Sequence, residues 1–337
     1  MILWQRKHGR HDLPWQSTCD PYRIWVSEIM LQQTQVTAVI PYYGRFLARF
    51  PDIGSLAVAT EDDVLAHWSG LGYYARGRNL HRAARLVVEQ HAGALPREFE
   101  AVRALPGVGR STAAAICVFS FGQRHAILDG NVRRVLARHD AIAGYPGDKD
   151  VQDRLWRLAE SRLPETGVES YTQGLMDLGA RLCVRRSPQC GRCPVAQSCV
   201  ARRDGLTGQL PAPRPAKMLP ERETAMLVLM CAGEVLLEKR PAPGIWGGLW
   251  SFPEVSKGGI REAARRYGAG VDELKRLAPV DHGFTHFKLR ILPVLAQVAR
   301  SASAEEPGRL WLSLDEALGA AIPAPVKRII GELRAVA

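Results

Sequence analysis

No stretch of this chain stays apolar for long. The longest uninterrupted apolar run, Ala225 to Ala232, has 8 residues, and a membrane-crossing helix needs roughly 20. The first residues, Met1-Ile2-Leu3-Trp4-Gln5-Arg6, contain no apolar signal core and no small-residue cleavage site. These absences exclude most secreted and membrane classes. They predict a cytoplasmic protein of a bacterium-like cell, or one inside an organelle, with no membrane partner. Disorder is excluded as well: 46% of the residues are hydrophobic and 23% charged, an ordinary globular balance. With 337 residues, about two domains are expected.

Acidic residues are short relative to basic ones, 34 against 45, for a net charge of +11. Such an excess points to an acidic partner, most often nucleic acid. Residues 1–200 hold 25 basic and 19 acidic residues, 201–222 hold 5 and 2, and 223–337 hold 15 and 13. The excess therefore sits in the first part and the connector. An Arg-rich proteome produces the same balance, so charge alone leaves both readings open.

Residues 1–200 read as almost all helix. Asp20-Pro21 is a helix start, with an acceptor at the N-cap and proline at the first helical position. Further helices are expected over 36–50, 61–69, 76–91, 98–105, 111–121, 131–139, 150–163 and 170–183, with Gly and Pro in nearly every gap. Residues 201–222 read as a basic, Pro-rich linker containing Pro211, Pro213, Pro215 and Pro220. The texture then turns to strands over 225–230, 234–239 and 287–298, with helices over 260–267 and 325–336. The predicted organisation is an all-α domain (1–200), the linker (201–222) and an α+β domain (223–337).

Cysteine is scarce except in one place. Of seven, Cys183, Cys190, Cys193 and Cys199 form a cluster with spacing x6, x2 and x5. Four neighbouring thiolates need a metal to offset their repulsion, and both Zn²⁺ and an iron–sulfur cluster accept four cysteines. Spacing alone does not decide between them.

Leu105-Pro-Gly-Val-Gly-Arg-Ser-Thr-Ala113 joins two predicted helices through a tight turn. Gly107 and Gly109 clear side chains from that turn. N–H groups opening the helix at Ser111 can then grip a phosphate. Two carboxylates are candidates for chemistry. Glu28 has Ile24, Trp25, Leu31 and Gln32 one turn away, so its carboxyl should be desolvated and able to act as a general acid; a partly buried Glu held by a neighbouring N–H is the other reading. Asp129 precedes the helix at Asn131, where turn and capping chemistry is an equally good reading.

These segments occur together with Ser27-Glu-Ile-Met-Leu-Gln-Gln-Thr-Gln35, Gly70-Leu-Gly-Tyr-Tyr-Ala-Arg76 and Ile127-Leu-Asp-Gly-Asn-Val132. As a set, the chain resembles the helix-hairpin-helix DNA glycosylases that carry an iron–sulfur cluster, and among them the adenine DNA glycosylases of the MutY type. The resemblance implies a 4Fe-4S cluster on Cys183, Cys190, Cys193 and Cys199. It implies duplex DNA with A:8-oxoguanine or A:G mismatches as partner, acted on by a nucleoid-associated monomer. It also implies removal of a flipped-out adenine, with Glu28 protonating nitrogen 7, Asp129 stabilising the cationic sugar and Asn131 holding Asp129. Glu28 must start protonated and Asp129 ionised, a split that the apolar helix face and the polar turn favour.

Related bifunctional enzymes carry a lysine nucleophile where this chain has Ser111. The resemblance thus implies a monofunctional glycosylase that leaves an abasic site. Gln33 and Tyr74 are the expected wedge residues, and Gly107, Gly109 and Ser111 the expected phosphate contacts. Trp246-Gly-Gly-Leu-Trp-Ser-Phe-Pro253 resembles the lead-in to a Nudix motif. The paired metal-binding glutamates of that motif are replaced by Arg265 and Arg266, so a Nudix-like fold without pyrophosphatase chemistry is expected. Thr285 and His286, in Phe284-Thr-His-Phe287, are the expected contacts to 8-oxoguanine. Two other readings stay open at this point: a bifunctional pyrimidine-lesion glycosylase and lyase, and a non-enzymatic, zinc-bearing DNA-binding protein.

Overall fold

The fold is taken from a computed structural model, which describes residues 1–215, 218–256, 258–270, 273–299 and 307–335. Ala216 and Lys217 of the expected linker, and Val336 at the expected end of the last helix, lie outside the described residues. In chain order the first helices are α1 (Ile2–His8), α2 (Pro21–Leu31), α3 (Val36–Arg49), α4 (Ile53–Val58), α5 (Glu61–Trp68) and α6 (Ala75–Gln90). Next come α7 (Phe99–Ala104), α8 (Arg110–Phe121), α9 (Gly130–His139), α10 (Lys149–Ser161), α11 (Val168–Arg181) and α12 (Val200–Arg203). The α+β part holds β1 (Glu221–Cys231), β2 (Glu234–Lys239), β3 (Trp250–Ser251), β4 (Glu254–Val255), α13 (Ile260–Arg266) and β5 (Lys275–Arg276). It closes with β6 (Val280–Gly283), β7 (Lys288–Gln297), β8 (Arg309–Ser313), α14 (Leu314–Gly319) and α15 (Ala324–Arg334).

The chain divides into two compact units, residues 1–58 with 82–216, and residues 59–81 with 217–337. The first unit is helical. Asp20 starts α2 as the sequence predicts, its Oδ1 accepting the Tyr22 N–H at 2.9 Å, with Pro21 in the first turn. Trp25, Val26, Ile29 and Met30 of α2 are buried in the core. Helix α8 is buried along Ala113–Val118 and ends where Gly122 takes φ 66°, a left-handed cap that glycine supplies without strain. Around α9 the core is built from Val132, Val135, Leu136, Leu155, Leu175 and Leu178.

The second unit is a mixed sheet in the order β3-β2-β1-β7-β5, with β4 and β6 also pairing β1 and β7. The apolar run in β1 lies parallel to β7, from Glu221 against Lys288 to Met230 against Gln297. The predicted hairpin is present. Ala232 and Gly233 turn at φ 49° and 84°, as a tight hairpin requires, and β1 pairs antiparallel with β2. Ala263 and Ala264 of α13 pack with Leu227, Leu229 and Leu236.

Residues 59–81, expected within the 1–200 domain, group with this second unit. The reason is local bonding. Ser69 Oγ and the Tyr74 hydroxyl donate to the Ile322 carbonyl at 3.1 and 3.3 Å, and Lys239 Nζ pairs with Asp62 at 2.7 Å. Helical periodicity identifies α5 but carries no information about which core it joins.

Candidate active site and cluster-binding loop

Glu28 lies mid-way along α2 and is half-buried. Its remaining surface opens onto a cavity of about 440 Å³, walled also by Trp15, Gln16, Leu31, Phe119 and Gln173. That volume lies in the range of small-ligand sites. One wall is held by the fully buried Asp177. It accepts from the Arg10 N–H at 2.8 Å, Arg10 Nε at 2.6 Å and Gln173 Nε2 at 2.9 Å. Burial first, and the Asp129 carboxylate second, push Glu28 up to about 8.

Asp129 caps α9. Its Oδ1 accepts the Val132 N–H at 2.7 Å and its Oδ2 accepts from Asn131 Nδ2 at 3.4 Å. The capping reading is therefore seen directly, and the Asp129 charge also acts on Glu28. Burial raises its carboxyl, while hydrogen bonds from Val132 and Asn131 and the Arg134 charge pull it down. The polar turn acts in the expected direction, but burial outweighs it and the net shift is upward. Asp129 itself does not line the cavity; it communicates with Glu28 through charge.

Ser111, at the start of α8, accepts the Leu128 N–H on Oγ at 3.1 Å. This bond fixes the backbone one residue before Asp129. Gln32, one turn beyond Glu28, donates from Nε2 to the Gly107 carbonyl at 3.3 Å and to Thr112 Oγ1 at 3.2 Å, tying α2 to the hairpin. In the hairpin turn Gly107 takes φ 80°. Gly109 is exposed at the N-cap of α8, which has no side-chain cap, and a Cβ there would meet open space. Gln33 is exposed at φ 57°, a left-handed conformation that non-glycine residues adopt at some cost.

The four clustered cysteines line one small cavity, together with Arg138, Leu182 and Arg202. Burial, followed by Cys183, Cys199 and Cys190, raises the Cys193 thiol against a backbone hydrogen bond. The four sulfurs therefore share one electrostatic neighbourhood. All four thiols thus border the same small cavity. The donor set and this enclosure fit a multi-iron cluster bound by all four thiolates. Arg138 braces the loop, donating to Cys183 Sγ at 3.4 Å and to the carbonyls of Val184 and Arg185 at 2.7 and 3.0 Å.

In the second unit Tyr74 is buried, with its hydroxyl on Ile322. Its neighbour Tyr73 is the exposed ring of the pair, 45% accessible, at φ 47°. As a wedge, Tyr74 would first have to leave its core position, whereas Tyr73 already projects. Thr285 and His286 are exposed between β6 and β7, with Thr285 Oγ1 3.5 Å from His286 Nδ1. Beneath them Phe284 and Phe287 stack at 4.4 Å, and Arg222 lies over Phe287. Arg265 and Arg266 are exposed on α13.

Residues 26–161 match the HhH-GPD superfamily base excision DNA repair proteins. Residues 183–199 match the iron-sulfur binding domain of endonuclease III, and residues 224–332 a NUDIX domain. The adenine DNA glycosylase of Buchnera aphidicola subsp. Acyrthosiphon pisum (strain APS) is 35% identical, over 98% of this chain and 95% of its own. The adenine DNA glycosylase of Mus musculus is also 35% identical, over 98% of this chain and 76% of its own. The chain belongs to the adenine DNA glycosylase family. It is accordingly an enzyme, a DNA N-glycosylase of base excision repair with a 4Fe-4S cluster and a Nudix-like domain. A solved thermostable thymine-DNA glycosylase is 30% identical and superposes with a TM-score of 0.54, covering 60% of this chain and 94% of that one.

Within this glycosylase, three features escape a reading of the sequence. Tyr73 is one: it is the exposed member of the Tyr73-Tyr74 pair, and the order of the two in the sequence gives no preference. Arg134 is another. Its Nη2 donates to Asn131 Oδ1 at 2.8 Å and to the Gly179 carbonyl at 2.7 Å, while its Nε donates to the Cys183 carbonyl at 2.7 Å. Its i+3 spacing from Asn131 was a visible hint. Gly179 is the third, and a glycine inside a helix is the signal that could have exposed it.

Proposed function

We propose that this glycosylase removes adenine paired with 8-oxoguanine, and more weakly with guanine, and leaves an abasic site without cutting the strand. The observation that carries this reading is the pairing of Glu28 and Asp129. Glu28, pushed up to about 8, holds a proton at neutral pH beside a cavity of base-binding size. In the proposed reaction the adenine is extruded into that cavity. Glu28 donates its proton to nitrogen 7, the glycosidic bond breaks with its electron pair going to the base, and the sugar becomes cationic. Asp129, held by Val132 and Asn131, offsets that charge. Water then adds to the sugar carbon and gives its proton to the Glu28 carboxylate, which restores the acid.

Ser111 supports the monofunctional outcome. Its hydroxyl is engaged by the Leu128 N–H, and a hydroxyl there cannot form the Schiff base on which lyase chemistry depends. Gly107, Gly109 and the uncapped start of α8 are assigned to DNA phosphate, Gln33 and Tyr73 to the gap left by the extruded nucleotide, and Thr285 with His286 to the oxidised base. Cys183, Cys190, Cys193 and Cys199 would hold the 4Fe-4S cluster, which when bound would tie the 183–199 loop together. Single-turnover assays on adenine opposite 8-oxoguanine, guanine, cytosine and thymine test the reading. Fast release opposite 8-oxoguanine, slower opposite guanine, and strand breaks only after alkali are expected. Rapid nicking without alkali, or trapping by borohydride, would overturn the monofunctional assignment.

A further inference from the structure

The loop that presents Tyr73 is pinned at both ends to one atom. Ser69 Oγ and the Tyr74 hydroxyl both donate to the carbonyl of Ile322, at 3.1 and 3.3 Å, using its two lone pairs. That carbonyl is rooted in the Nudix-like sheet, because the preceding residue, Ala321, accepts the Trp250 N–H at 2.8 Å. Ile322 itself is fully buried. Between the two pins the backbone turns through Gly70 at φ 103°, Gly72 at φ 71° and Tyr73 at φ 47°. A tyrosine keeps a left-handed conformation only where its surroundings over-determine it.

Those surroundings are visible. Arg76 Nη2 donates to the carbonyls of Leu71 and Gly72, both at 3.1 Å, and Trp68 Nε1 donates to Gly72 at 3.3 Å. Arg78 donates to the Gly247 carbonyl. The loop's fixed points thus belong to the compact unit that also carries Thr285 and His286.

We infer that Ser69 and Tyr74 are positioning residues for the choice of opposite base. They hold the Tyr73 ring in register with the 284–287 loop through the Ile322 carbonyl, so the wedge is set by the Nudix-like unit. This rests on the reading of Tyr73 as the wedge. Tyr74→Phe keeps the buried ring and removes only the donor, and Ser69→Ala does the same on the other side.

The test uses the full chain with its cluster, as the double variant S69A/Y74F and separately as Y73A. Single-turnover excision is measured opposite 8-oxoguanine and opposite guanine, with 2-aminopurine fluorescence beside the 8-oxoguanine reporting wedge insertion. In the double variant the 8-oxoguanine to guanine rate ratio should fall about fivefold or more, the worth of at least one ordinary hydrogen bond, and the fluorescence change should shrink with it. A loss of folded protein would lower both rates by the same factor and leave the ratio alone, and that result overturns the inference. So does an unchanged ratio in S69A/Y74F when Y73A lowers it. If Y73A also leaves the ratio unchanged, the wedge reading itself fails, and the inference falls with it.

Discussion

Gly179 lies so close to Asn131 that a Cβ built on the glycine would sit 2.6 Å from the asparagine Cβ and 3.0 Å from its backbone. Helix α11 can approach α9 this closely only with glycine at that position. Gly179→Ala should therefore cost about 1–3 kcal/mol through overpacking. Because the displaced neighbour holds Asp129, excision should slow about tenfold or more in protein that remains folded. Thermal unfolding together with single-turnover rates checks both parts. A variant with wild-type rates would mean the Asn131 contact does not set the site.

The two carboxyls predict a bell-shaped pH profile for the chemical step. Release should fall as pH rises through about 8, where Glu28 gives up its proton. It should fall on the acid side above the ordinary aspartate value, because burial raises Asp129. Folding stability follows from the same shift. The folded state binds the Glu28 proton more tightly than the unfolded chain, so this contribution is fully present at low pH, below the unfolded pKa, and is lost as pH rises through about 8. Glu28→Gln should abolish most adenine release and flatten the alkaline loss of stability. Urea titrations at pH 6 and pH 9 measure the second effect. An E28Q protein that still releases adenine at full rate removes Glu28 as the acid.

Much of this was legible in the sequence, for physical reasons that can be named. Asp20-Pro21 marks a helix start because capping is a local property. Glu28 could be read as desolvated because its helical neighbours are i±3 and i±4 residues. The four cysteines announced a metal site because neighbouring thiolates repel one another without one, though their spacing left zinc and an iron–sulfur cluster undecided. What was not legible depends on side chains that meet across distant segments. The grouping of residues 59–81 with the Nudix-like unit goes with bonds from Asp62 to Lys239 and from Ser69 and Tyr74 to Ile322, the last more than 240 residues further along the chain. The order of Tyr73 and Tyr74 rests on which ring that same carbonyl engages. The upward shift of Asp129 rests on burial, which the polar Asp-Gly-Asn turn conceals.

Ser111 offers a narrow test. Its hydroxyl is placed by α8 and receives the N–H of Leu128. Ser111→Ala leaves that half-buried donor without its partner, at about 1–3 kcal/mol if water does not replace it. The loop entering Asp129 should loosen and excision should slow. Ser111→Thr retains the acceptor and should restore the rate, which a purely steric role for this side chain would not allow.

Arg134 joins the two chemical centres by direct bonds, to Asn131 Oδ1 on one side and to the Cys183 carbonyl on the other. Its guanidinium is half-buried and engaged on several donors at once, an arrangement that a lysine's single ammonium cannot reproduce. Arg134→Lys and Arg134→Met should both slow adenine release by about tenfold or more, since Asp129 and Asn131 lose their brace. Because the same side chain holds a cluster ligand's backbone, both variants should also lose iron faster on dilution or mild oxidation, read from absorbance near 400 nm. The order of the two effects is informative. If release slows while the iron content stays whole, Arg134 acts on the catalytic side through Asn131. If release slows only in proportion to iron lost, the cluster loop is the element that Arg134 supports.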